Sequence, residues 1–180
     1  MKLLAEAVLV AMVCGTLLPA QEPPARKIPS VTLQPVPLAS VTRGKATAVE
    51  LLFRVESGFH VNSNQPSAEY LIPTSLKLDP PTDIAIGRIT YPPGQEMSFA
   101  FAPEDKFSVY TGEFSLSVNI RPLSSVLPSR YEIHGSLRYQ ACDNAACYPP
   151  KNLPIRFEVK VVKAPPPPRK NPAQSPHAHS

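Results

Sequence analysis

Cys142 and Cys147 are the residues of this 180-residue chain whose type and spacing most directly offer chemistry. They stand in Cys142-Asp-Asn-Ala-Ala-Cys147, directly after an alternating stretch that ends at Tyr139-Gln140 and before Tyr148-Pro149-Pro150, which leads into the last alternating run. Two strands joined by so short a connection run as a hairpin. Residues opposite each other across a hairpin have Cα atoms ~4.5–5.5 Å apart, inside the ~4.4–6.8 Å that a disulfide needs, so a bond is geometrically easy. Such a bond has two readings. As a staple it closes a loop of about six residues and contributes roughly 2 kcal/mol, against about 4 for a bridge closing some sixty. As a working disulfide it sits in a short exposed loop, where labile and exchanging disulfides are found. Spacing alone leaves both open.

Metal binding is a third reading. Zinc accepts two cysteines at this spacing but needs two further ligands. His134 shares a strand face with Cys142, yet eight residues at ~3.4 Å each put it about 27 Å away. His60 lies on another strand and would bring the set to three. Both histidines are expected as solvent-facing strand residues. No serine–histidine–acid set, phosphate loop or paired-carboxylate motif stands out, and no cofactor is implied. Asp143 and the acids Glu104-Asp105 are expected as turn residues.

Where the chain goes decides whether a disulfide persists. Met1 to Ala20 has the form of a secretory signal: Lys2 at the start, an apolar run from Ala7 to Leu18, and Leu-Pro-Ala before a cut ahead of Gln21. The apolar run is short for a membrane span, which takes ~20 residues, and the mature chain has no other. An uncleaved anchor is the structural alternative. Cys14 raises lipidation, but Ala11-Met12-Val13 lacks the small residue expected immediately before a lipidated cysteine. Cleavage near Ala20 removes Cys14 and leaves one pair, exported to a place where disulfides can persist.

The elements that must position the pair are strands. Twelve of the 24 prolines crowd residues 19–37 and 165–176, and the other twelve sit singly or in pairs at turns, so long helices are excluded. Residues 21–30 form a Pro-rich lead-in and 163–180 a Pro-rich basic tail, in which His177 and His179 receive no role. Between them, over 31–162, basic and acidic residues balance at twelve each, so the net charge of +4 comes from the flanks and marks no nucleic-acid face. Period-2 alternation runs through Val49–Val55, Phe114–Ile120, Tyr131–Tyr139 and Ile155–Val161. Weaker strands are expected around Val31–Leu33, Leu76–Leu78, Ile84–Ile89 and Met97–Phe101. Seven to nine strands of this kind, unevenly spaced, describe an all-β, immunoglobulin-like antiparallel β-sandwich rather than a closed barrel.

The run Tyr139-Gln140-Ala141-Cys142 through Cys147-Tyr148-Pro149-Pro150 resembles the N-terminal periplasmic domain family of the thiol:disulfide interchange protein DsbD. Gly58-Phe59-His60-Val61-Asn62-Ser63-Asn64, Tyr70-Leu71-Ile72-Pro73-Thr74 and Val109-Tyr110-Thr111-Gly112 are similar to that family as well. The resemblance implies an immunoglobulin-like sandwich with a redox-active pair, Cys142 and Cys147, the second attacking and the first resolving. It implies a membrane thiol reductase or thioredoxin-like protein as donor and periplasmic protein disulfides as acceptors. It also implies a cap loop over 99–107 that shields the bond through an aromatic residue, here Phe101, with His60, Tyr110 and Tyr139 around the pair. His60 and Asn62 stand where members of the family carry tyrosines. The chain lacks the family's membrane and thioredoxin-like parts, so its reductant must be another protein. The competing expectation is a non-enzymatic exported sandwich that binds a protein, its disulfide only pinning a hairpin.

Overall fold

The computed structural model describes residues 28–100 and 102–166. The expected leader with Cys14, most of the lead-in, the tail from residue 167 and Phe101 lie outside them. Every regular element described is a strand: β1 (Val31–Leu33), β2 (Ala39–Thr42), β3 (Thr47–Val55), β4 (His60–Asn62), β5 (Ser75–Asp79), β6 (Ile84–Thr90), β7 (Gln95–Phe99), β8 (Ala102–Tyr110), β9 (Glu113–Pro122), β10 (Arg130–Tyr139), β11 (Ala141–Cys142) and β12 (Lys151–Val162). No described helix is long and apolar enough to cross a membrane.

The strongly alternating runs form the sandwich. One sheet has the order β1-β3-β9-β6 and the other β2-β12-β10-β5. Val49, Leu51, Phe53 and Val55 of β3 and Phe114, Leu116, Val118 and Ile120 of β9 face Ile133, Leu137, Ile155, Phe157 and Val159 of the opposite sheet in one buried core. Their intervening neighbours, Glu50, Leu52 and Arg54 on β3, are exposed. Alternation at period 2 puts one side chain set inside and the other in water, and burial of the apolar set drives the two sheets together. The architecture expected from the sequence is the one found, with one departure. β2 runs parallel to β12, from Val159↔Ala39 to Val162↔Thr42, because the chain changes sheets through the proline-bearing segment between β1 and β2.

A third sheet, β11-β4-β8-β7, lies outside the alternation pattern and was not expected. An aromatic column fastens it to the sandwich: Tyr110 stacks on Phe114 at 4.7 Å between ring centroids, and Phe114 on Phe53 at 5.3 Å. Gly112, at φ 58°, makes the tight turn from β8 into β9, a conformation that a side chain disfavours. A small second core of Leu71, Phe99, Phe107 and Val109 closes the outer side.

The stretch expected as a cap loop is therefore largely the β7–β8 hairpin. Glu104 and Asp105, expected in a turn, belong to β8. The β7–β8 register shifts between Met97 and Phe99, so Met97 pairs with Phe107 while Phe99 pairs with Ala102. The exposed residues Glu104, Asp105 and Lys106 fall in the part of β8 without partners in β7. Charged residues and a proline there broke the period-2 signal, while the buried Phe107, Val109 and Tyr110 further along, paired with β7 or β4, hold the strand.

Candidate functional site

The β10–β12 ladder ends at Tyr139↔Lys151, before either cysteine. The cysteines thus do not face each other across the two long strands, as the short spacing suggested. Residues 140–150 leave the sandwich instead. β11 joins the edge of the third sheet, with Ala141 opposite Val61 and Cys142 opposite His60. The chain then turns and returns Cys147 to Cys142 as an isolated antiparallel bridge. The sulfurs are bonded at 2.05 Å, with Cα atoms 4.0 Å apart.

Asp143 shapes this small loop. Its Oδ1 accepts the backbone N–H of Ala145 (2.8 Å) and Ala146 (2.9 Å), and its Oδ2 accepts the hydroxyl of Tyr148 (2.6 Å). Asp143 is thus the turn residue expected of it, since aspartate commonly caps its own backbone two residues on. The Tyr148 hydroxyl, followed by those two N–H groups, holds its carboxyl below the usual range. The Asp143 N–H bonds the Ala146 carbonyl at 2.9 Å, and that of Tyr148 the Ala141 carbonyl at 2.9 Å.

Gln140 fixes the loop to the sheet. Its Oε1 accepts from Asn62 Nδ2 (3.3 Å) and from the N–H of Ile72 (3.4 Å), while its Nε2 donates to the Tyr148 carbonyl (3.2 Å). Asn62, buried, also donates to the Ile72 carbonyl at 3.0 Å, and Thr74 Oγ1 donates to the Asn62 carbonyl at 2.6 Å. Sequence reasoning did not single out Gln140 as a support. The available signal was a polar residue directly after the strand's last buried position.

The two cysteines differ in environment. Cys142 has 0% relative exposure, whereas Cys147 is exposed. His60, expected to face solvent, is buried at 5% because β11 and β8 flank its strand and the Phe99 ring stacks on it, 4.0 Å between centroids and 9° between planes. Burial lowers the imidazole pKa to about 4, against the opposing pull of the Asp143 carboxylate. Among the described residues, Phe99 is thus an aromatic that the hairpin brings over the strand opposite Cys142. Tyr110 donates to Asn64 Oδ1 (2.6 Å) and is a member of the aromatic column; the Tyr139 hydroxyl accepts the N–H of Val31 (3.3 Å) across the sandwich. Both tyrosines brace the sheets. His134 sits away from the loop, paired with Glu132 at 2.6 Å. Among the described residues no cluster of three or more histidine, cysteine and acidic side chains is arranged for a metal.

The His60 burial has a consequence for acid stability. The unfolded chain protonates this imidazole near pH 6.5 and the folded chain only near pH 4, so between those values unfolding takes up a proton. Stability should be complete above the upper value and fall on acidification by on the order of 2 kcal/mol, the roughly 3 kcal/mol of the full shift reduced by solvent screening at the ring edge. Asp143, whose ionised form the fold favours, adds a further loss below its ordinary pKa of 3.8. Urea midpoints measured across this range should show the decline, and His60→Gln should flatten its upper part. A flat wild-type profile would mean a solvated imidazole.

Fold and site together define an all-β domain that carries a bonded cysteine pair on an appended sheet, one cysteine buried and one exposed. The chain belongs to the family described as thiol:disulfide interchange protein DsbD, N-terminal, which matches residues 31–158. Comparison with curated proteins returns no match. Among solved structures, the reduced DsbD N-terminal domain of Neisseria meningitidis is similar at 21% identity over 63% of this chain and 78% of that one, with a TM-score of 0.41. The complex between the DsbD and PilB N-terminal domains of the same organism matches at 20% identity, 61% and 73% coverage and a TM-score of 0.38. The periplasmic chaperone SfaE matches at 9% identity, 82% and 62% coverage and a TM-score of 0.34.

Proposed function

We propose that this protein is an exported thiol–disulfide exchange domain, relaying reducing equivalents through Cys142 and Cys147 to protein disulfides in the periplasm. The observation that carries this reading is the asymmetry of the pair: a buried Cys142 bonded to an exposed Cys147 on a loop held by Asp143 and Gln140. Membership of the DsbD N-terminal family supports it. In this reading residues 1–20 are the leader, 21–30 a lead-in, 31–162 the working domain and 163–180 a tail.

The chemistry balances without a cofactor. A thiolate of a dithiol donor, either a membrane thiol reductase or a thioredoxin-like protein, attacks the Cys147 sulfur. A donor–Cys147 disulfide forms, and the Cys142–Cys147 bond breaks with its electron pair on the Cys142 sulfur. The donor's second thiolate then releases Cys147, and the two cysteines each take a proton. Delivery to an acceptor is the reverse sequence, with Cys147 attacking and Cys142 resolving. The Lys151 ammonium donates to the Pro29 carbonyl, and Arg138 is exposed on β10. The carboxylate of Asp143 follows Cys142 directly, and the reading rests on the solvent access of Cys147.

Equilibration with glutathione buffers, read by alkylation of the freed thiols in the folded protein, tests the reading. A midpoint between roughly −180 and −270 mV is expected, the range of protein thiol carriers. A value well below about −300 mV would mark the bond as a permanent staple and overturn the proposal.

A further inference from the structure

His60 is a buried titratable group that the exchange chemistry above leaves unused. It lies directly opposite Cys142 in the β11–β4 ladder. Directly paired residues project from the same face of a sheet, with Cβ atoms ~4.5–5.5 Å apart. The Phe99 ring covers one flat face of the imidazole, which leaves the ring edge, where the N–H and the nitrogen lone pair lie, free of that contact. No described residue hydrogen-bonds this ring, although it is 5% exposed. The ring nitrogens are not among the buried polar atoms left without a partner, so the edge of the ring keeps a little solvent access and its N–H is available to a neighbouring sulfur.

The need for a donor at this place follows from the asymmetry of the pair. When the exposed Cys147 sulfur is attacked, the departing thiolate forms on Cys142, which is wholly buried. Burial disfavours a thiolate and makes it a slower leaving group. We propose that the His60 imidazole donates its ring N–H to the Cys142 sulfur as the bond opens, stabilising the leaving thiolate in the forward step and the resolving thiolate in the reverse one. This role rests on the exchange reading and extends it to a residue of this chain. The groups facing the ring suit a neutral donor. The Asp143 carboxylate is taken up by Tyr148 and two backbone N–H groups, and Phe99, itself packed on Phe107, presents hydrocarbon to the ring. With its pKa near 4, His60 remains a neutral donor throughout the neutral range.

The test compares His60→Phe, which keeps a ring for Phe99 to stack on but has no N–H, with His60→Gln, which keeps a donor. In the Cys147→Ser background, thiolate absorbance should show Cys142 titrating about one unit higher with His60→Phe and close to wild type with His60→Gln. In the disulfide-bonded protein, reduction by dithiothreitol should slow about tenfold with His60→Phe and recover to within about threefold with His60→Gln. In the wild-type protein, the His60 ring nitrogen resonances should shift on reduction and follow the Cys142 titration, a readout that depends on no variant folding. Unchanged resonances, or a Cys142 titration alike in all three proteins, overturn the role of His60. A bond that dithiothreitol cannot open in the folded wild-type protein overturns the exchange reading as well.

Discussion

Replacing Cys142 by serine should convert a transient exchange partner into a trapped one. The expected substrate for the experiment is a thioredoxin-like protein whose own resolving cysteine is serine and whose attacking cysteine is activated as an aryl disulfide. Cys147, exposed, attacks that sulfur and expels the aryl thiol in the wild-type protein and in Cys142→Ser alike. In the wild type, Cys142 then displaces the partner and closes the intramolecular bond. In Cys142→Ser no second thiol is at hand, and the mixed disulfide should last on the order of hours instead of seconds. Cys147→Ser should react far more slowly, because the remaining thiol has no exposed surface. Non-reducing electrophoresis and mass spectrometry of the adduct distinguish the cases. Faster trapping by Cys147→Ser than by Cys142→Ser would reverse the assigned roles, and trapping by neither would leave the bond a clamp between strand segments.

Phe99→Ala carries the second large effect, and on two observables. Phe99 is 5% exposed, stacks on His60 and packs against Phe107 at 5.7 Å between ring centroids. Truncating a buried phenylalanine removes its transfer free energy and leaves a cavity, typically costing about 3–5 kcal/mol. The second core is small and lies at an outer sheet, where partial collapse is easy, so about 3 kcal/mol is expected in denaturant unfolding. The same change uncovers the His60 ring, the ladder neighbour of Cys142. Reduction of the disulfide by dithiothreitol under native conditions should accelerate about tenfold, through local opening rather than global unfolding. A destabilised protein whose bond is reduced at the wild-type rate would show that the β7–β8 hairpin is a structural brace and shields nothing. These outcomes separate the hairpin's two jobs, because the midpoint potential depends on the folded redox states and not on the rate of access to them.

Much of this molecule was present in local sequence pattern. Residue alternation at Val49–Val55, Phe114–Ile120, Tyr131–Tyr139 and Ile155–Val161 marked the four strands that supply most of the core, because a strand with one wet face must repeat every second residue. The cysteine pair, its bonding and the family it marks were legible too, since the signature Tyr139-Gln140 to Pro149-Pro150 is contiguous. The short strands β2, β4 and β11 and the charged half of β8 left no such trace. Two to four residues cannot display a period, and Glu104, Asp105 and Lys106 are exposed in the part of β8 that has no register partner in β7.

The surroundings of the bond lay further still from what a linear pattern encodes. His60 was expected in solvent and Phe101 as the shielding aromatic; the fold buries His60 and stacks Phe99 on it, while Phe101 falls outside the described residues. Each of these facts joins segments distant along the chain: Cys142 to His60 across a two-residue strand, His60 to Phe99 across a hairpin, Gln140 to Asn62 and Ile72 through one carboxamide. Residue order alone determined that two cysteines would bond in an all-β domain, because alternation and close spacing are local properties. Which cysteine meets solvent, and which side chain waits beside the other, was decided only when β4 came to lie between β11 and β8, since burial is a property of neighbours that no short stretch of sequence contains.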